Sequence, residues 1–459
     1  MKIITVHNYG LNNIDLEGRV EENNTSQKIK HFDVEVSGFH GKRTAFELPP
    51  HMWFKVFYDK KDYYCVLDET KRGDPQKIFP NSYGGVTILG DEKYDLVGKL
   101  EPSLSHTVTQ EFWQIRIIEA TGGGGAHNTA FGQQIYLSEI KDPDIAIKLT
   151  VPVGSTLIQS RLPADLEYNH LYGISNEDVS MNLNFAPVNG KKITLRSQAM
   201  YPQTRVSNLG ISNGDVVVLN TVRDVNYLGL LEDALRINED VKLFLAATDS
   251  MIGSIGTKKV WELIRRSDVY VSNKDELENL YSFKGEEVNK LDETIDNLGV
   301  VNKGEMKKLV GVKINDPQTL ARMMYHVQSN LITRDGSPGR VYITFGEGGS
   351  SALGQEKVIY WQPVTPGDIN PFKRLTIGNT NGCGDAYLAI VVIKEILLHP
   401  TLEILNEANT AGHICATKAT ASGAWMATES RIKEFRDTYG KPDFHRYDQR
   451  AMDFIRTRV

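Results

Sequence analysis

Residues 376–390 read Thr-Ile-Gly-Asn-Thr-Asn-Gly-Cys-Gly-Asp-Ala-Tyr-Leu-Ala-Ile. Small residues lead through Gly382, Cys383 and Gly384 to a carboxylate, Asp385, which is followed by a largely apolar run. This pattern predicts a tight loop that opens a buried helix. The first N–H groups of a helix lack intrahelical partners and carry partial positive charge, and glycines let a ligand approach them closely. The stretch therefore predicts an anion-binding site with a carboxylate at its edge, which suits phosphoryl transfer to a hydroxyl group.

Asp385 has two explanations. On local pattern alone it could equally be the N-cap of a core helix, since Asp is a favoured capping residue. Residues 379–385, Asn-Thr-Asn-Gly-Cys-Gly-Asp, resemble the signature of the ribokinase-like (PfkB) family of carbohydrate and nucleoside kinases, usually Asp-Thr-x-Gly-Ala-Gly-Asp. The resemblance implies that Asp385 accepts the proton of the acceptor hydroxyl. It also implies that Gly382, Cys383 and Gly384 hold the charge of the transferring phosphoryl group.

The resemblance implies ATP and Mg²⁺ as cofactors and leaves a monovalent cation open. Asn379 stands where the family usually has an Asp that helps to bind such a cation, so K⁺ activation is not implied. Cys383 stands where Ala or Gly is usual, and its side chain is small enough to keep the loop closed.

The composition is that of a soluble globular protein, with 459 residues of which 40% are hydrophobic and 24% charged. The net charge of −6 gives no indication of nucleic-acid or membrane partners. No apolar run approaches the roughly 20 residues of a membrane span, and the N-terminus lacks a signal-peptide pattern. Three widely spaced cysteines predict neither a disulfide framework nor a zinc site. We therefore expect a cytoplasmic protein.

Two domains are predicted: a β-rich N-terminal extension, residues 1–84, and an α/β domain, residues 85–459. In the second, short apolar runs alternate with amphipathic stretches. The predicted strands are Val86–Leu89, Ile145–Val151, Val216–Leu219, Leu243–Ala247, Val269–Val271 and Val341–Phe345. The predicted helices are Asn128–Glu139, Val225–Arg236, Lys258–Arg266, Lys274–Ser282, Pro317–Asn330, Asp385–Leu398 and Leu405–Thr420. This alternation predicts a mostly parallel sheet covered on both faces, and the resemblance implies the three-layer α/β/α body of the family.

Three stretches break the alternation. Residues of about 98–120 and 178–203 have a two-residue period and predict a small antiparallel sheet, which the resemblance implies is a lid over the substrate. Residues of about 285–335 form an insertion, and we interpret its charged stretch Gly285–Ile314 as a solvated surface excursion rather than a binding element.

An acidic residue, Asp95, follows the predicted strand Val86–Leu89. Ligands of α/β folds bind beyond the carboxyl ends of parallel strands, so Asp95 would face the binding crevice. The resemblance implies that it accepts hydrogen bonds from substrate hydroxyls, whereas a solvated Asp in a polar turn is the alternative.

Four glycines in a row precede a predicted helix within residues 121–130, Thr-Gly-Gly-Gly-Gly-Ala-His-Asn-Thr-Ala. Such a run is costly in conformational entropy unless the backbone must approach something closely. A dinucleotide-binding fingerprint is disfavoured, because His127 stands where its third glycine should be. The resemblance implies that Gly123, Gly124 and Asn128 bind a sugar.

The pair Asn273 and Glu276 begins a predicted helix directly after the strand Val269–Val271. Residues three apart lie on one helical face, so the pair could serve one water-coordinated cation, or it could form a capping box. The resemblance implies that both residues organise Mg²⁺ through water and that Asn273 lies near the nucleotide phosphates. The two roles are compatible.

Two further segments resemble nucleotide-binding parts of the family. Thr344, Gly346 and Gly349 match a Thr-x-Gly-x-x-Gly loop after a predicted strand. Farther on, a small-residue helix would form one wall of the adenine pocket through Ala408, Asn409 and His413, although close helix packing explains those residues equally well.

These motifs together predict an ATP-dependent kinase that phosphorylates a hydroxyl of a sugar or sugar-like molecule. A nucleoside kinase is the first alternative and would use a stacking aromatic, with Phe112, Trp113 and Phe185 as candidates. A phosphosugar acceptor would require basic residues such as Lys191, Lys192 and Arg196. A non-catalytic ligand sensor with residues 1–84 as a partner-binding module is the alternative of another class, and a homodimer is left open.

Overall fold

Two β-sheets and their flanking helices make up the described part of the chain. The computed structural model describes residues 3–10, 13–24, 52–58, 61–67, 112–142, 144–151, 167–170, 181–186, 193–196, 209–222, 225–238, 240–283, 286–333, 336–362, 382–417, 427–439 and 445–446. The strands are β1 (Ile4–Gly10), β2 (Asn13–Asn24), β3 (Met52–Tyr58), β4 (Lys61–Leu67), β5 (Phe112–Gly123), β6 (Ile145–Val151), β7 (Glu167–His170), β8 (Met181–Ala186), β9 (Ile193–Arg196), β10 (Val216–Asn220), β11 (Lys242–Ala246), β12 (Val269–Asn273), β13 (Arg340–Thr344), β14 (Ser350–Leu353), β15 (Ile359–Gln362) and β16 (His445–Arg446). The helices are α1 (Gly125–Ile140), α2 (Val225–Ile237), α3 (Asp249–Ile255), α4 (Thr257–Ile264), α5 (Lys274–Leu280), α6 (Glu286–Asn289), α7 (Leu291–Leu298), α8 (Lys303–Leu309), α9 (Pro317–Asn330), α10 (Cys383–Ile396), α11 (Thr401–Ala416) and α12 (Glu429–Tyr439).

The larger sheet has ten strands within the described residues, in the order β16-β15-β14-β13-β12-β11-β10-β1-β6-β7. The strands from β7 to β13 in this order pair in parallel, whereas β14, β15 and β16 extend the sheet antiparallel. From β1 the chain places β6 on one side and β10 on the other. The carboxyl ends of β1 and β10 therefore border a topological switch point, where open α/β sheets bind ligands.

Helices cover both faces of this sheet. Along β10, Val216 and Val218 join the core beneath α1, α10, α11 and α12, while Val217 and Leu219 join the core on the opposite face. All five residues of β10 are buried, as expected for a parallel strand between two helical layers. The predicted three-layer α/β/α architecture is thus confirmed. In the described part of the chain, no helix is long and apolar enough to cross a membrane.

The first strand corrects the predicted domain boundary. β1 pairs in parallel with both β6 and β10, through Ile4 with Ile145 and Val6 with Val216, and so lies inside the α/β body. The β-rich extension predicted for residues 1–84 therefore does not include β1. The error has a physical cause, because His7 and Asn8 interrupt the apolar pattern expected of a buried strand.

His7 and Asn8 of β1 are both buried and hydrogen-bonded. The Nε2 atom of His7 lies 3.1 Å from Oδ2 of Asp215, and Nδ2 of Asn8 donates to Oε1 of Gln133 at 2.7 Å. The hydrogen bonds offset the cost of burying these side chains in the middle of a sheet. The strand predicted at Val86–Leu89 lies outside the described residues.

A second sheet of six strands, in the order β4-β3-β5-β2-β8-β9, joins the N-terminal segment to the predicted lid stretches. The β-rich character predicted for residues 1–84 is seen in β2, β3 and β4. The sheet is mixed and not purely antiparallel, since β2 pairs in parallel with β8 and β3 with β5. Its role as a lid stays a prediction.

The segment of about 285–335 is not a solvated excursion in its described part. It contains α6 to α9, whose inner faces bury Ile295, Leu298, Met306 and Leu309 in the core. Charged residues occupy the outer faces, so the composition suggested more exposure than the helices have. Amphipathic helices reconcile a charged sequence with a packed layer.

Candidate active site

Asp385 lies in the first turn of α10, at the start of a buried apolar helix as the sequence predicted. Gly382 caps this helix with φ 75°, a left-handed conformation that favours glycine, and its carbonyl accepts the N–H of Ala386 at 2.8 Å. Gly384 is exposed, and among the described residues no atom lies within 4 Å of the place that a Cβ on it would occupy. As far as the described residues go, an anion could therefore approach the N-terminus of α10 at Gly384.

Two side-chain amides hold the carboxylate of Asp385. Nδ2 of Asn128 donates to Oδ2 at 3.0 Å, and Nδ2 of Asn220 donates to Oδ1 at 3.1 Å. The sequence predicted Asn128 but missed Asn220, which ends β10 one residue beyond the predicted strand. The available signal was a single amide after four apolar residues, at the carboxyl end of a parallel strand.

The glycine segment connects β5 to α1 and brings the helix close to Asn220. Gly123 ends the strand, and Gly124 caps the helix with φ 96°. A Cβ on Gly125 would lie 2.3 Å from Oδ1 of Asn220, far inside van der Waals contact. The predicted close approach is therefore real, and part of it is to the protein itself. The sugar-binding role of Gly123, Gly124 and Asn128 stays a prediction.

His127 is a buried polar residue next to Asn128. Its ring stacks on Phe131 with 6.4 Å between centroids. Burial lowers the pKa of His127 to about 4, so the imidazole is neutral at physiological pH.

Asn273 and Glu276 form the capping box at the start of α5. Oδ1 of Asn273 accepts the N–H of Glu276 at 2.9 Å, and Oε2 of Glu276 accepts the N–H of Asn273 at 2.8 Å. Burial raises the pKa of Glu276 to about 8, and the negative charges of Asp249 and Asp385 act in the same direction. The carboxylates of Asp249 and Asp385 therefore lie close enough to Glu276 for their charges to affect its protonation.

A divalent cation fits this environment, because it would offset the repulsion between the carboxylates. Within the described residues, no group of three or more His, Cys, Asp or Glu is arranged to hold a metal ion directly. Coordination of Mg²⁺ through water by Asn273 and Glu276 stays a prediction.

The loop predicted to bind nucleotide follows β13 and lies beside the capping box. Thr344 is in register with Asn273 across the parallel pair of β13 and β12. The chain then turns through the 3₁₀ segment Gly346–Gly348 to Gly349, which has φ 90°. The N–H of Phe345 donates to the carbonyl of Gly349 at 2.8 Å and closes the turn. The structure thus brings these two motifs together.

The predicted adenine-wall residues are buried in helix packing. Ala408 belongs to the core beneath the sheet, and Asn409 is also buried. His413 stacks on Phe435 of α12 with 6.0 Å between centroids, and burial lowers its pKa to about 4. Packing alone accounts for these residues, and their nucleotide role stays a prediction.

Asp95 and Asn379 lie outside the described residues, so their predicted roles are untested. The strand that enters the switch point is β1, and the acidic residue that follows it is Asp15. The backbone of Asp15 is in register with Thr121 of β5 and Asn182 of β8. Asp15 is therefore a second candidate for the role given to Asp95, and sequence reasoning missed it together with β1.

Solved structures show which known fold this is. Ribokinase of Arabidopsis thaliana, complexed with ribose and ATP, is similar with a TM-score of 0.54 at 13% identity, over 95% of this chain and 99% of that one. Ribokinase of Cryptococcus neoformans in complex with ADP has a TM-score of 0.51 at 12% identity, again over 95% of this chain and 99% of that one. Phosphofructokinase-2 of Escherichia coli in complex with potassium has a TM-score of 0.50 at 11% identity, over 95% of this chain and 99% of that one.

No family model matches the chain, and no curated protein is significantly similar to it in sequence. Identities of 11–13% establish the fold alone. The chain has the ribokinase-like fold.

Proposed function

We propose that this chain of ribokinase-like fold is an ATP-dependent kinase, which transfers the γ-phosphate to a hydroxyl of a sugar or sugar-like small molecule. One observation carries the proposal. Asp385 lies at the open N-terminus of α10 with each carboxylate oxygen accepting an amide hydrogen bond, from Asn128 and Asn220. Proteins of this fold have been crystallised with ribose and ATP and with ADP, which agrees with such a reaction.

The reaction needs a base and an anion site next to each other. The acceptor oxygen attacks the γ-phosphorus while Asp385 takes the hydroxyl proton, and the bond to the β-phosphate oxygen breaks to release ADP. The N–H groups of Gly382, Cys383 and Gly384 would stabilise the charge on the transferring phosphoryl group. Asp385 does not act as the N-cap of α10, since Gly382 fills that position.

The nucleotide would bind beyond the carboxyl ends of β12 and β13. The turn from Thr344 to Gly349 would face the phosphates, with Asn273 and Glu276 holding Mg²⁺ through water. The metal would supply positive charge between the phosphates. Whether a monovalent cation also binds depends on the loop that contains Asn379.

The acceptor would bind near the start of α1, next to Asp385. Gly123, Gly124 and Asn128 belong to this region, and Asp15 or Asp95 would complete it. Closure of the six-stranded sheet would exclude water that could otherwise hydrolyse ATP.

Asp385→Asn tests the proposal, because the amide keeps the shape but cannot accept the proton. We expect turnover to fall by roughly 10²- to 10⁴-fold, the usual contribution of a general base. Nucleotide binding, measured by calorimetry, should stay close to that of the wild type. Retained turnover in this variant would refute the role of Asp385.

A nucleoside kinase is the second candidate. Phe112 and Trp113 lie on β5 and Phe185 lies on β8, so the six-stranded sheet carries the aromatic residues that such an acceptor would require. ADP release across a panel of sugars, phosphosugars and nucleosides separates these acceptors. Absence of ADP release with every acceptor would favour the ligand sensor.

A further inference from the structure

Asn220 uses every hydrogen-bonding atom of its side chain. Besides its bond to Asp385, Nδ2 donates to Oγ1 of Thr129 at 3.1 Å. Its Oδ1 accepts the hydroxyl of Thr221 at 2.9 Å. An amide has two N–H donors, and both are used here. Rotating the amide by half a turn would put its oxygen against the carboxylate of Asp385, so the network fixes one orientation.

The hydroxyl of Thr221 is itself held in place. Thr248 donates to Oγ1 of Thr221 at 3.3 Å and accepts the N–H of Met251 at 3.3 Å as the N-cap of α3. Thr221 has φ 62°, a strained backbone conformation for a β-branched residue. Such strain persists where the surrounding structure enforces it, and it is concentrated at functional sites.

This chain of hydrogen bonds reaches the proposed metal side of the crevice. Asp249 follows Thr248 and begins α3, where its Oδ1 accepts Nδ2 of Asn279 at 2.8 Å. The negative charge of Asp249 also raises the pKa of Glu276. The side of the proposed base and the side of the proposed metal are therefore linked through the adjacent residues Thr248 and Asp249.

The opposite side of Asn220 is closed by α1. The Cα of Gly125 lies so close to the Asn220 amide that a Cβ there would overlap it. Asn220 is only 3% exposed. The amide therefore has no second position to occupy without moving a helix or a strand.

We propose that Asn220 is a positioning residue for Asp385, and that Oδ2 is the oxygen of Asp385 that takes the acceptor proton. This inference rests on the proposed kinase function. Asn220 holds Oδ1, and every hydrogen-bonding atom of its side chain is in use. Oδ2 accepts the amide of Asn128, the residue predicted to bind the acceptor, so an arriving hydroxyl can take the place of that amide at Oδ2.

Asn220→Asp is the decisive variant. It keeps the shape of the side chain and places a second carboxylate about 3 Å from Asp385, where two carboxylates share one proton and the pair titrates at higher pH. Since the base must be ionised to act, the acid limb of the kcat/KM profile marks its titration. We expect this limb to move up by about one pH unit or more.

Asn330→Asp is the matched control. Asn330 is also buried and hydrogen-bonded, donating to the carbonyl of His326 at 2.8 Å, but it lies in α9 on the opposite face of the sheet. We expect its pH profile to superpose on that of the wild type even if its thermal midpoint falls. Thermal unfolding and ATP binding report whether each variant is folded.

Thr221→Val and Thr221→Ser test the next link independently. Val removes the hydroxyl that fixes Asn220, whereas Ser keeps it. We expect kcat to fall roughly 10- to 100-fold in the Val variant, with the KM for ATP unchanged, and to stay near the wild-type value in the Ser variant.

The outcomes separate the two proposals. A wild-type pH profile for folded Asn220→Asp would overturn the positioning role. If Asn220→Asp does not fold, equal kcat values for Thr221→Val and Thr221→Ser would overturn it. Wild-type turnover in Asp385→Asn would instead refute the proposed function itself, whatever Asn220 does.

Discussion

At the scale of a residue, Gly125 shows that the site requires a residue without a side chain at the start of α1. It begins α1, and a methyl group there would meet the Asn220 amide at 2.3–2.7 Å. Neither group can retreat easily, because the amide is hydrogen-bonded on all sides and the helix is packed on the sheet.

We therefore expect Gly125→Ala to displace Asn220 and lower kcat by roughly 10-fold or more. Overpacking should also reduce the free energy of unfolding by about 1–3 kcal/mol. Steady-state kinetics and chemical denaturation measure the two effects. Gly229→Ala is the control, since no atom of the described chain would contact its new methyl group and Ala favours the interior of α2. Wild-type turnover in Gly125→Ala would show that the amide can shift harmlessly.

Individual site residues differed in how far the sequence could identify them. Asp385 and Asn128 each belong to a local pattern. Asp385 follows a glycine loop that precedes a helix, and Asn128 follows a run of glycines that precedes a different helix. Asn220 belongs to no local pattern, because its partners Thr129 and Asp385 are 91 and 165 residues away in sequence. Its role follows from the packing of three elements and could not be predicted from its neighbours.

At the scale of an element, α5 combines a structural cap with a titrating carboxyl group. The pKa of Glu276 is raised to about 8. Glu276 therefore binds a proton at neutral pH, and a cation held near this carboxylate would have to displace that proton.

We expect the apparent affinity for Mg²⁺ to rise with pH up to about 8, by at most about tenfold per pH unit. Glu276→Gln should abolish this dependence while keeping the cap, because Gln also serves in a capping box. Titrations of turnover with Mg²⁺ between pH 6.5 and 9 would measure it. The same slope in both proteins would exclude Glu276 from the metal site.

Among the elements, long regular ones were predicted best. The bounds of α9 and β6 agree with the predicted ranges to the residue. The antiparallel strands β14 to β16 were missed because they are short and follow turns. β1 was missed because His7 and Asn8 make its sequence look exposed. Both residues are buried and hydrogen-bonded to Asp215 and Gln133, and those contacts cannot be predicted from the local sequence.

At the scale of the whole molecule, both helical layers contain buried neutral histidines. His127 and His413 lie in the layer of α1 and α11, and burial lowers the pKa of each to about 4. His326 lies in α9 on the other side, where burial also lowers its pKa.

These histidines should make the fold sensitive to acid. A lowered pKa means that the unfolded chain binds protons first, so stability is intact above pH 6.5 and declines as pH falls towards 4. His127 and His413 would each contribute up to about 3 kcal/mol to this decline. Denaturation with urea at pH 7, 5.5 and 4.5 measures it. His413→Phe keeps the stacking on Phe435 and should flatten the dependence, and an unchanged slope would contradict this account.

The central position of β1 has a further consequence for how the chain is made. β1 is translated before both of its neighbours, which contain Ile145 and Val216. The middle of the sheet therefore stays incomplete until β10 has been translated. Pairing over such sequence distances is slow. β1 has neither neighbour until β6 has been translated, and its other side stays unpaired until β10 follows, which makes β1 a natural point of chaperone dependence.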